Sequence, residues 1–397
     1  MKMKNKRLLV LGGNQYQIPL IEYARSKNIV VGLVDINENA PAKKYADYFY
    51  NVSLKDKEEV LKVVNIFRPD GITVGTVETA VLTCAYVADK CGLKGLGSKT
   101  AIRSTNKYEM IKTFKEHNVP CPDFQFISKD EINDAKCKIA YPVIVKPCDM
   151  SGSRGILLAN NDGEFIEAIK KSSSISNSGD VIVEEYMNGK EVSVELIIKD
   201  GVAHAIQVTD KITSGFPHFI ELGHIQPSRL DKNIIEDVKD VACSAAESLG
   251  LINGLGHAEI KITKDGPKMV EIGARQGGGE IGTRMVELST GVNFNKIAID
   301  IAFGNEIELP KIIDNKATCI HFITTSEGIL SKVDGIEKAR NEKDIYEVYF
   351  DGIIGNKYHD FKDNTDRLGY VLSYADNADD ALKACDKALK DILVMYR

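Results

Sequence analysis

The chain has 397 residues, 27% of them charged and 43% hydrophobic, with a formal net charge of −6 and no tryptophan. That length allows two to four structural units, each with its own core. The acidic balance and an aromatic content of only 7% argue against nucleic acid as the main partner, because neither a basic face nor a stacking ladder suggests itself.

A basic lead-in gives way to an apolar run over 8–11. This run is too short for a signal-peptide core or a membrane span, and it reads as a first β-strand ending in Gly12-Gly13. No later run is long enough to cross a bilayer. The eight cysteines are scattered without a Cys-x-x-Cys pair and the histidines are few, so reduced thiols, no zinc site and a cytoplasmic location are expected.

A helix follows, with Leu20, Ile21 and Ala24 on one face and Pro19 near its start. Residues 30–34 form a second strand ending at Asp35, and Val60, Val63, Val64 and Phe67 predict a helix over 56–67. A strand at 71–75 and a helix marked by Val81, Cys84, Ala85 and Ala88 complete a βαβα order, which argues for a parallel, Rossmann-like sheet covered by helices. Gly12-Gly13-Asn14-Gln15 lacks the third glycine of a dinucleotide fingerprint, although Asp35 stands about where a ribose-binding acid would. Two readings stand, a nicotinamide site or a supporting domain without one, and the missing glycine favours the second.

The pattern changes near residue 105, where a helix over 107–117 leads to short strands and helices. Val192, Val194, Leu196 and Ile198 alternate with polar residues, and Asp200-Gly201 turns the chain into Val202, Ala203 and Ile206, a β-hairpin. A helix over 232–249, a second hairpin over 256–272, and strands with an amphipathic helix over 378–395 follow; 172–178 is a serine-rich polar loop.

Four features carry chemistry. An apolar strand ends in Lys146-Pro147, where a lysine is costly unless its charge is answered, as a phosphate oxygen would do. Directly after it, Ser151, Gly152, Ser153, Arg154 and Gly155 make a small-residue loop whose N–H groups can close around phosphates. Alone that loop reads equally as a surface turn. Third, Glu184, Glu185, Tyr186 and Met187 form a short linker, followed by Glu191. Such a linker can pair with an adenine edge and Glu191 with ribose hydroxyls, or all three acids are solvated surface. Fourth, the hairpin around Lys264-Asp265-Gly266 suits a three-residue turn that pairs Ala258 with Ile272 and Ile260 with Val270. That register sets Glu259 directly opposite Glu271. Opposed like charges are destabilising, unless Mg2+ or Mn2+ lies between them and a nucleotide's phosphates; a slipped register or neutralisation by Lys261 and Arg275 are the alternatives. Arg275, beside Gln276-Gly277-Gly278-Gly279, suits bidentate binding of a carboxylate or acyl phosphate.

Taken together, these motifs resemble the ATP-grasp superfamily, in the carboxylate–amine ligase branch of biotin carboxylase-like and L-amino-acid ligase-like enzymes. The resemblance covers nearly the whole chain. It implies a mixed α/β and α+β fold: a Rossmann-like domain over 1–104, a two-lobed ATP-grasp domain over 105–305 with lobes meeting about residue 187, and a small C-terminal α+β domain over 306–397. By the same resemblance Lys107 and Lys146 are nucleotide lysines and 151–155 is the loop over the phosphates. Residues 184–187 take adenine and Glu191 takes ribose. Glu259 and Glu271 bind magnesium, and Arg275 steadies the acyl phosphate. Many relatives read Glu-x-Asn-x-Arg where this chain has Glu271-Ile272-Gly273-Ala274-Arg275, and Gly273 supplies no side-chain ligand to a second metal ion. Arg367-Leu368-Gly369-Tyr370-Val371 also resembles the end of biotin carboxylase-like chains.

The resemblance implies an ADP-forming ligase that uses ATP and Mg2+ (or Mn2+) to make an acyl phosphate, which an amine then attacks. Its substrates would be a small carboxylate and an amine, with an amino acid as one of them. Neither nucleic acid nor membrane is implied, and relatives of this kind are often homodimers. Glu78, Lys211, Glu221, His224 and 276–279 are candidates to line the substrate. The rivals are a bicarbonate-activating carboxylase of the same superfamily, a nicotinamide-dependent oxidoreductase and a non-catalytic nucleotide-binding regulator.

Overall fold

A computed structural model describes residues 5–152, 154–215, 220–313, 316–364 and 366–397. The front of the chain forms a four-stranded parallel sheet in the order Tyr48–Asn51, Val30–Asp35, Arg7–Leu11, Gly71–Thr73. Leu8, Leu9, Val10 and Leu11 are fully buried, as expected of a strand covered on both faces. The helices Ile18–Ser26, Lys57–Phe67 and Val81–Cys91 cover it, close to the periodicity of the sequence. Tyr48–Asn51 is an edge strand with no buried residue, so no alternation marks it beforehand. The helix Phe294–Phe303 joins this sheet to the rest: Phe294, Ile297, Ala298 and Ala302 share one core with Leu8, Val10, Leu20 and Ile21. At Gly71 an added Cβ would sit 2.6 Å from the Ala302 carbonyl oxygen.

The strands Phe124–Ile127, Val181–Glu185, Val143–Pro147 and Leu157–Ala159 form an antiparallel sheet in that order. The helix Asp162–Ile175 packs Phe165, Ala168 and Ile169 into its core. Most of the segment read as a polar loop over 172–178 is therefore the end of this helix. The remaining serines are gathered by Asp149, whose carboxylate accepts from Ser176 Oγ and the Asn177 and Ser178 N–H groups at 3.0, 3.0 and 2.8 Å.

The largest sheet has eight strands in the order Gly266–Gly273, Gly254–Thr263, Lys190–Lys199, Val202–Thr213, Glu221–Gln226, Ala317–Thr324, Arg367–Ala375 and Ile345–Phe350. Residue 305 falls between its strands, so the sheet runs without a break into the C-terminal part of the chain. The turn at Asp200-Gly201 has both residues at positive φ, 52° and 83°, which is the two-residue hairpin geometry. The second hairpin departs from the three-residue turn. Thr263 pairs with Gly266, leaving only Lys264-Asp265 in the turn, and Ile260 pairs with Met269 rather than Val270. The odd residue has moved out of the turn and become a bulge at Val270. Beyond it the register Ala258–Ile272 and Glu259–Glu271 is the expected one. At the C-terminus the helix stops at Asp391 rather than near 395. Leu393–Tyr396 is a strand paired with Gly328–Asp334, consistent with a preference of branched and aromatic residues for a pleated surface.

Candidate active site

The three sheets converge on a cavity of about 510 Å3. Asn14, Tyr16 and 76–79 reach it from the carboxyl ends of the front strands, the usual place for a ligand on a parallel sheet. Asp35 is engaged elsewhere: its carboxylate accepts from the N–H of Gly13 at 2.7 Å and of Asn37 at 2.7 Å. A Cβ on Gly13 would meet Ala40 at 2.8 Å. The glycine pair thus closes a turn onto its own acid, which argues against the nicotinamide reading.

Lys107, Lys146, Ser151, Gly152, Glu184, Glu185, Tyr186, Met187, Glu191, Glu259, Glu271 and Arg275 all line this cavity. Ser153 lies outside the described residues. Gly155 is not on the cavity wall: its φ is +75°, and a Cβ there would press on Pro147 at 2.8 Å. It serves the packing of the loop rather than its lining.

Each site lysine is positioned by local structure and answered by a carboxylate. Asn106 caps the helix Lys107–Glu116, its side chain accepting from the Glu109 N–H, so Lys107 emerges in the first turn. Its Nζ lies 2.9 Å from Glu271 and donates to the Met150 carbonyl at 2.9 Å. Ile144 pairs with Glu184 across the small sheet, so Lys146, two residues on along the same face, meets Glu184 diagonally at 2.6 Å. Lys146 is 6% and Glu184 3% exposed. The charge of Lys146, for which a phosphate oxygen was one expected answer, is met in the ligand-free protein by Glu184, brought in by the pairing.

The third lysine, Lys211, holds three acids from different strands: Glu191 at 2.7 Å, Glu221 at 2.9 Å and Glu259 at 3.0 Å. Burial opposes its charge, but these carboxylates raise its pKa well above the usual lysine value. Burial likewise opposes ionisation of Glu259 and Glu271, yet Lys211 and Lys107 respectively hold them below the usual carboxylate range. Both acids are therefore ionised hard oxygen donors, facing each other in register.

His257, two residues before Glu259, lines the cavity as well. Its Nδ1 contacts the fully buried Glu195, which also accepts from the Gly277 N–H at 3.1 Å. Burial works against the imidazolium, but Glu195 and Glu259 pull its pKa up to about 9. A Cβ on Gly277 would sit 2.8 Å from both Glu195 Oε1 and His257 Nδ1, so glycine is needed for this closure. Sequence inspection missed the pair because Glu195 and His257 are 62 residues apart and meet only through strand register.

Arg275 donates to Glu78 at 2.8 Å and to the Gln276 carbonyl at 2.8 Å. A Cβ on Gly273 would lie 3.2 Å from the Arg275 side chain; the arginine covers the place that a longer residue at 273 would need. Of the substrate-lining candidates, Glu78, Lys211, Glu221, Gly278 and Gly279 reach the cavity wall; His224, Gln276 and Gly277 do not. Burial drives the His224 pKa down to about 3, so its ring is neutral, packed edge-on to Phe322.

Among the described residues no three His, Cys, Asp or Glu side chains gather as a ready-made metal cage. Two opposed carboxylates on a cavity wall do fit Mg2+, which takes one or two protein carboxylates and completes its shell with phosphate oxygens and water. Among the described residues no helix is long and apolar enough to cross a membrane.

Residues 139–284 match the model of the ATP-grasp domain, and 321–397 match that of L-amino acid ligase C-terminal domain 2. The chain is 26% identical over 287 residues to alanine–anticapsin ligase of Bacillus subtilis, a match covering 66% of this chain and 60% of that protein. It is 25% identical over 314 residues to an L-arginine-specific L-amino acid ligase of Bacillus subtilis, covering 75% of each. In fold it is similar to an L-amino acid ligase from Bacillus licheniformis, with a TM-score of 0.87, 21% identity and 99% of both chains covered. A phosphoribosylglycinamide synthetase from Anaerococcus prevotii matches at a TM-score of 0.81 and 23% identity, over 99% of this chain and 100% of that one.

Proposed function

We propose that this chain, which carries an ATP-grasp domain and an L-amino acid ligase C-terminal domain 2, is an ADP-forming ligase that joins a carboxylate to an amine. The observation that carries the reading is the direct opposition of Glu259 and Glu271 on the wall that also presents Lys107, Lys146 and Arg275. The relatives named as amino acid ligases support an amino acid as one substrate.

In this reading the adenine lies along 184–187, Glu191 accepts from the ribose hydroxyls, and the loop at 151–155 covers the phosphates. Magnesium held by Glu259 and Glu271 supplies charge neutralisation at the phosphates. Lys107 and Lys146 turn from Glu271 and Glu184 toward phosphate oxygens, so the nucleotide replaces partners in an already ordered set of charges. A substrate carboxylate oxygen attacks the γ-phosphorus, and the bond to ADP breaks with its electron pair leaving on ADP. Arg275 then faces the acyl phosphate. The amine nitrogen attacks the acyl carbon, phosphate departs with the C–O electron pair, and the nitrogen loses a proton. Stabilisation of charge by fixed cations in a desolvated cavity is enough for both steps, and no protein nucleophile is required.

The test is release of ADP and phosphate from Mg-ATP across amino acids, small carboxylates and bicarbonate, beside a Glu271→Ala variant. Release that needs both a carboxylate and an amine, and is lost in the variant, is the expected result. Stimulation by bicarbonate alone would move the assignment to a carboxylase, and failure of ATP to bind would end it.

A further inference from the structure

The serine-rich segment 172–178 has no part in the steps above, yet it grips the loop over the phosphates at both ends. At the near end the Asp149 carboxylate accepts from Ser176 Oγ and from the N–H groups of Asn177 and Ser178, at 3.0, 3.0 and 2.8 Å. Asn177 returns the contact, its Nδ2 donating to the Asp149 carbonyl at 3.4 Å. At the far end Ser172 Oγ donates to the Gly155 carbonyl at 2.6 Å, and a Cβ on Gly155 would lie 3.2 Å from Ile175. The grip is rigid at its root, because Phe165, Ala168 and Ile169 of the same helix lie in the core of the small sheet.

The anchors stand off the cavity and the span between them faces it. Met150, Ser151, Gly152 and Arg154 line the wall, whereas Asp149 and Gly155 do not. In the ligand-free protein the Met150 carbonyl is also held, accepting from Lys107 Nζ at 2.9 Å. That hold is given up when Lys107 turns to a phosphate oxygen. From then on the anchors at Asp149 and Gly155 fix where the N–H groups of Ser151 and Gly152 stand. The bonds from the Asn177 and Ser178 N–H groups to the Asp149 carboxylate are of the charge-assisted kind, roughly twice as strong as neutral ones. A loop that closes over phosphates completes the site and excludes water, and a misplacement of about 1 Å there can cost about 100-fold in rate.

Resting on the ligase reading, we propose that Asp149 is a positioning residue for phosphoryl transfer: clamped to 176–178, it fixes the base from which Ser151 and Gly152 reach the phosphates. Alanine at 149 removes every bond of the carboxylate. Asparagine keeps an oxygen for Ser176 and Asn177 but sets an amide NH2 against the Ser178 N–H.

The experiment reads the loop and the rate separately. Trypsin cuts after arginine, and Arg154 is exposed, so cleavage there, identified by mass, reports whether the loop is closed. In the wild type Mg2+ with AMP-PNP should slow that cut, and AMP, which lacks the outer phosphates, should not. In Asp149→Ala and Asp149→Asn the protection should be lost while AMP-PNP still raises the thermal midpoint, because adenine and ribose are held elsewhere. Acyl phosphate, trapped as hydroxamate from ATP, hydroxylamine and a panel of amino acids and small carboxylates, should form with kcat lowered about 10–100-fold and little change in KM for ATP. Ser176→Ala should lie in between, and Ser174→Ala, whose hydroxyl donates to the Lys171 carbonyl instead, should match the wild type. Protection intact in Asp149→Ala would overturn the inference, as would a wild-type kcat in that variant or a loss carried by KM for ATP. A wild type that is protected but yields no hydroxamate with any carboxylate would refute the ligase reading and the role in phosphoryl transfer together; loss of protection in Asp149→Ala would then establish the anchor alone.

Discussion

Replacing Glu280 by glutamine should give a protein whose stability relative to the wild type rises with pH. Glu280 follows the glycines at 277–279 in a left-handed backbone conformation, φ +64°, and is 1% exposed. Its carboxyl accepts from Thr283 at 2.5 Å and Tyr370 at 3.1 Å, with the Arg284 guanidinium at 3.6 Å. Burial pushes its pKa up to about 7, Arg284 opposes the rise, and Glu347 adds to it. The folded protein therefore binds this proton more tightly than the unfolded chain. The stability that the proton contributes is whole below about pH 4.5 and lost as pH climbs through about 7. A displacement from 4.5 to about 7 corresponds to about 3 kcal/mol in all. Glutamine stays neutral throughout, so its advantage should grow by about 2 kcal/mol between about pH 5 and about pH 8, then level off. Urea unfolding of the ligand-free protein, followed by circular dichroism at fixed ionic strength, reads the difference in midpoints. A difference that stays flat across that range would refute the reasoning.

Three other outcomes follow from the charges and close approaches in the site. Lys146→Ala leaves Glu184 buried without its cation and should cost about 3–5 kcal/mol in the ligand-free protein; a loss under about 1 kcal/mol in urea unfolding would mean that water reaches the acid. Lys211→Met exposes Glu191, Glu221 and Glu259 to mutual repulsion. Because Glu221 and Glu259 are held low in the wild type, the deficit should be greatest near neutral pH and shrink on acidification, as a pH series of thermal midpoints would show. Gly277→Ala forces a Cβ against Glu195 and His257 and should cost about 1–3 kcal/mol. Gly278→Ala, where a Cβ meets nothing within 4 Å among the described residues, is its control; equal shifts for the two would contradict the packing argument.

Local pattern was enough wherever the controlling interaction is short-range in sequence. The buried run 8–11, the helical spacing of Val60, Val63, Val64 and Phe67, and the Asp200-Gly201 turn each declare their element within a few residues, because periodicity and turn chemistry are local. The opposition of Glu259 and Glu271 was legible for the same reason: a short hairpin counts its own register. Even there the count alone did not say whether the odd residue sits in the turn or in a bulge, and Val270 took it. The edge strand Tyr48–Asn51 and the terminal strand Leu393–Tyr396 carried no such mark, since what makes each a strand is a neighbour elsewhere in the chain.

The amino-acid sequence by itself determined which residues bring charge to the cavity and which segments carry them as strands, helices and glycine turns. The tertiary structure alone decided how those charges answer one another: Glu184 on Lys146, three acids on Lys211, Glu195 beneath His257, Glu78 on Arg275 and Phe322 under Arg367. The physical reason is that a buried charge is tolerated only with a partner, and a partner 38, 62 or 197 residues away is chosen by strand pairing and docking, which no local pattern encodes.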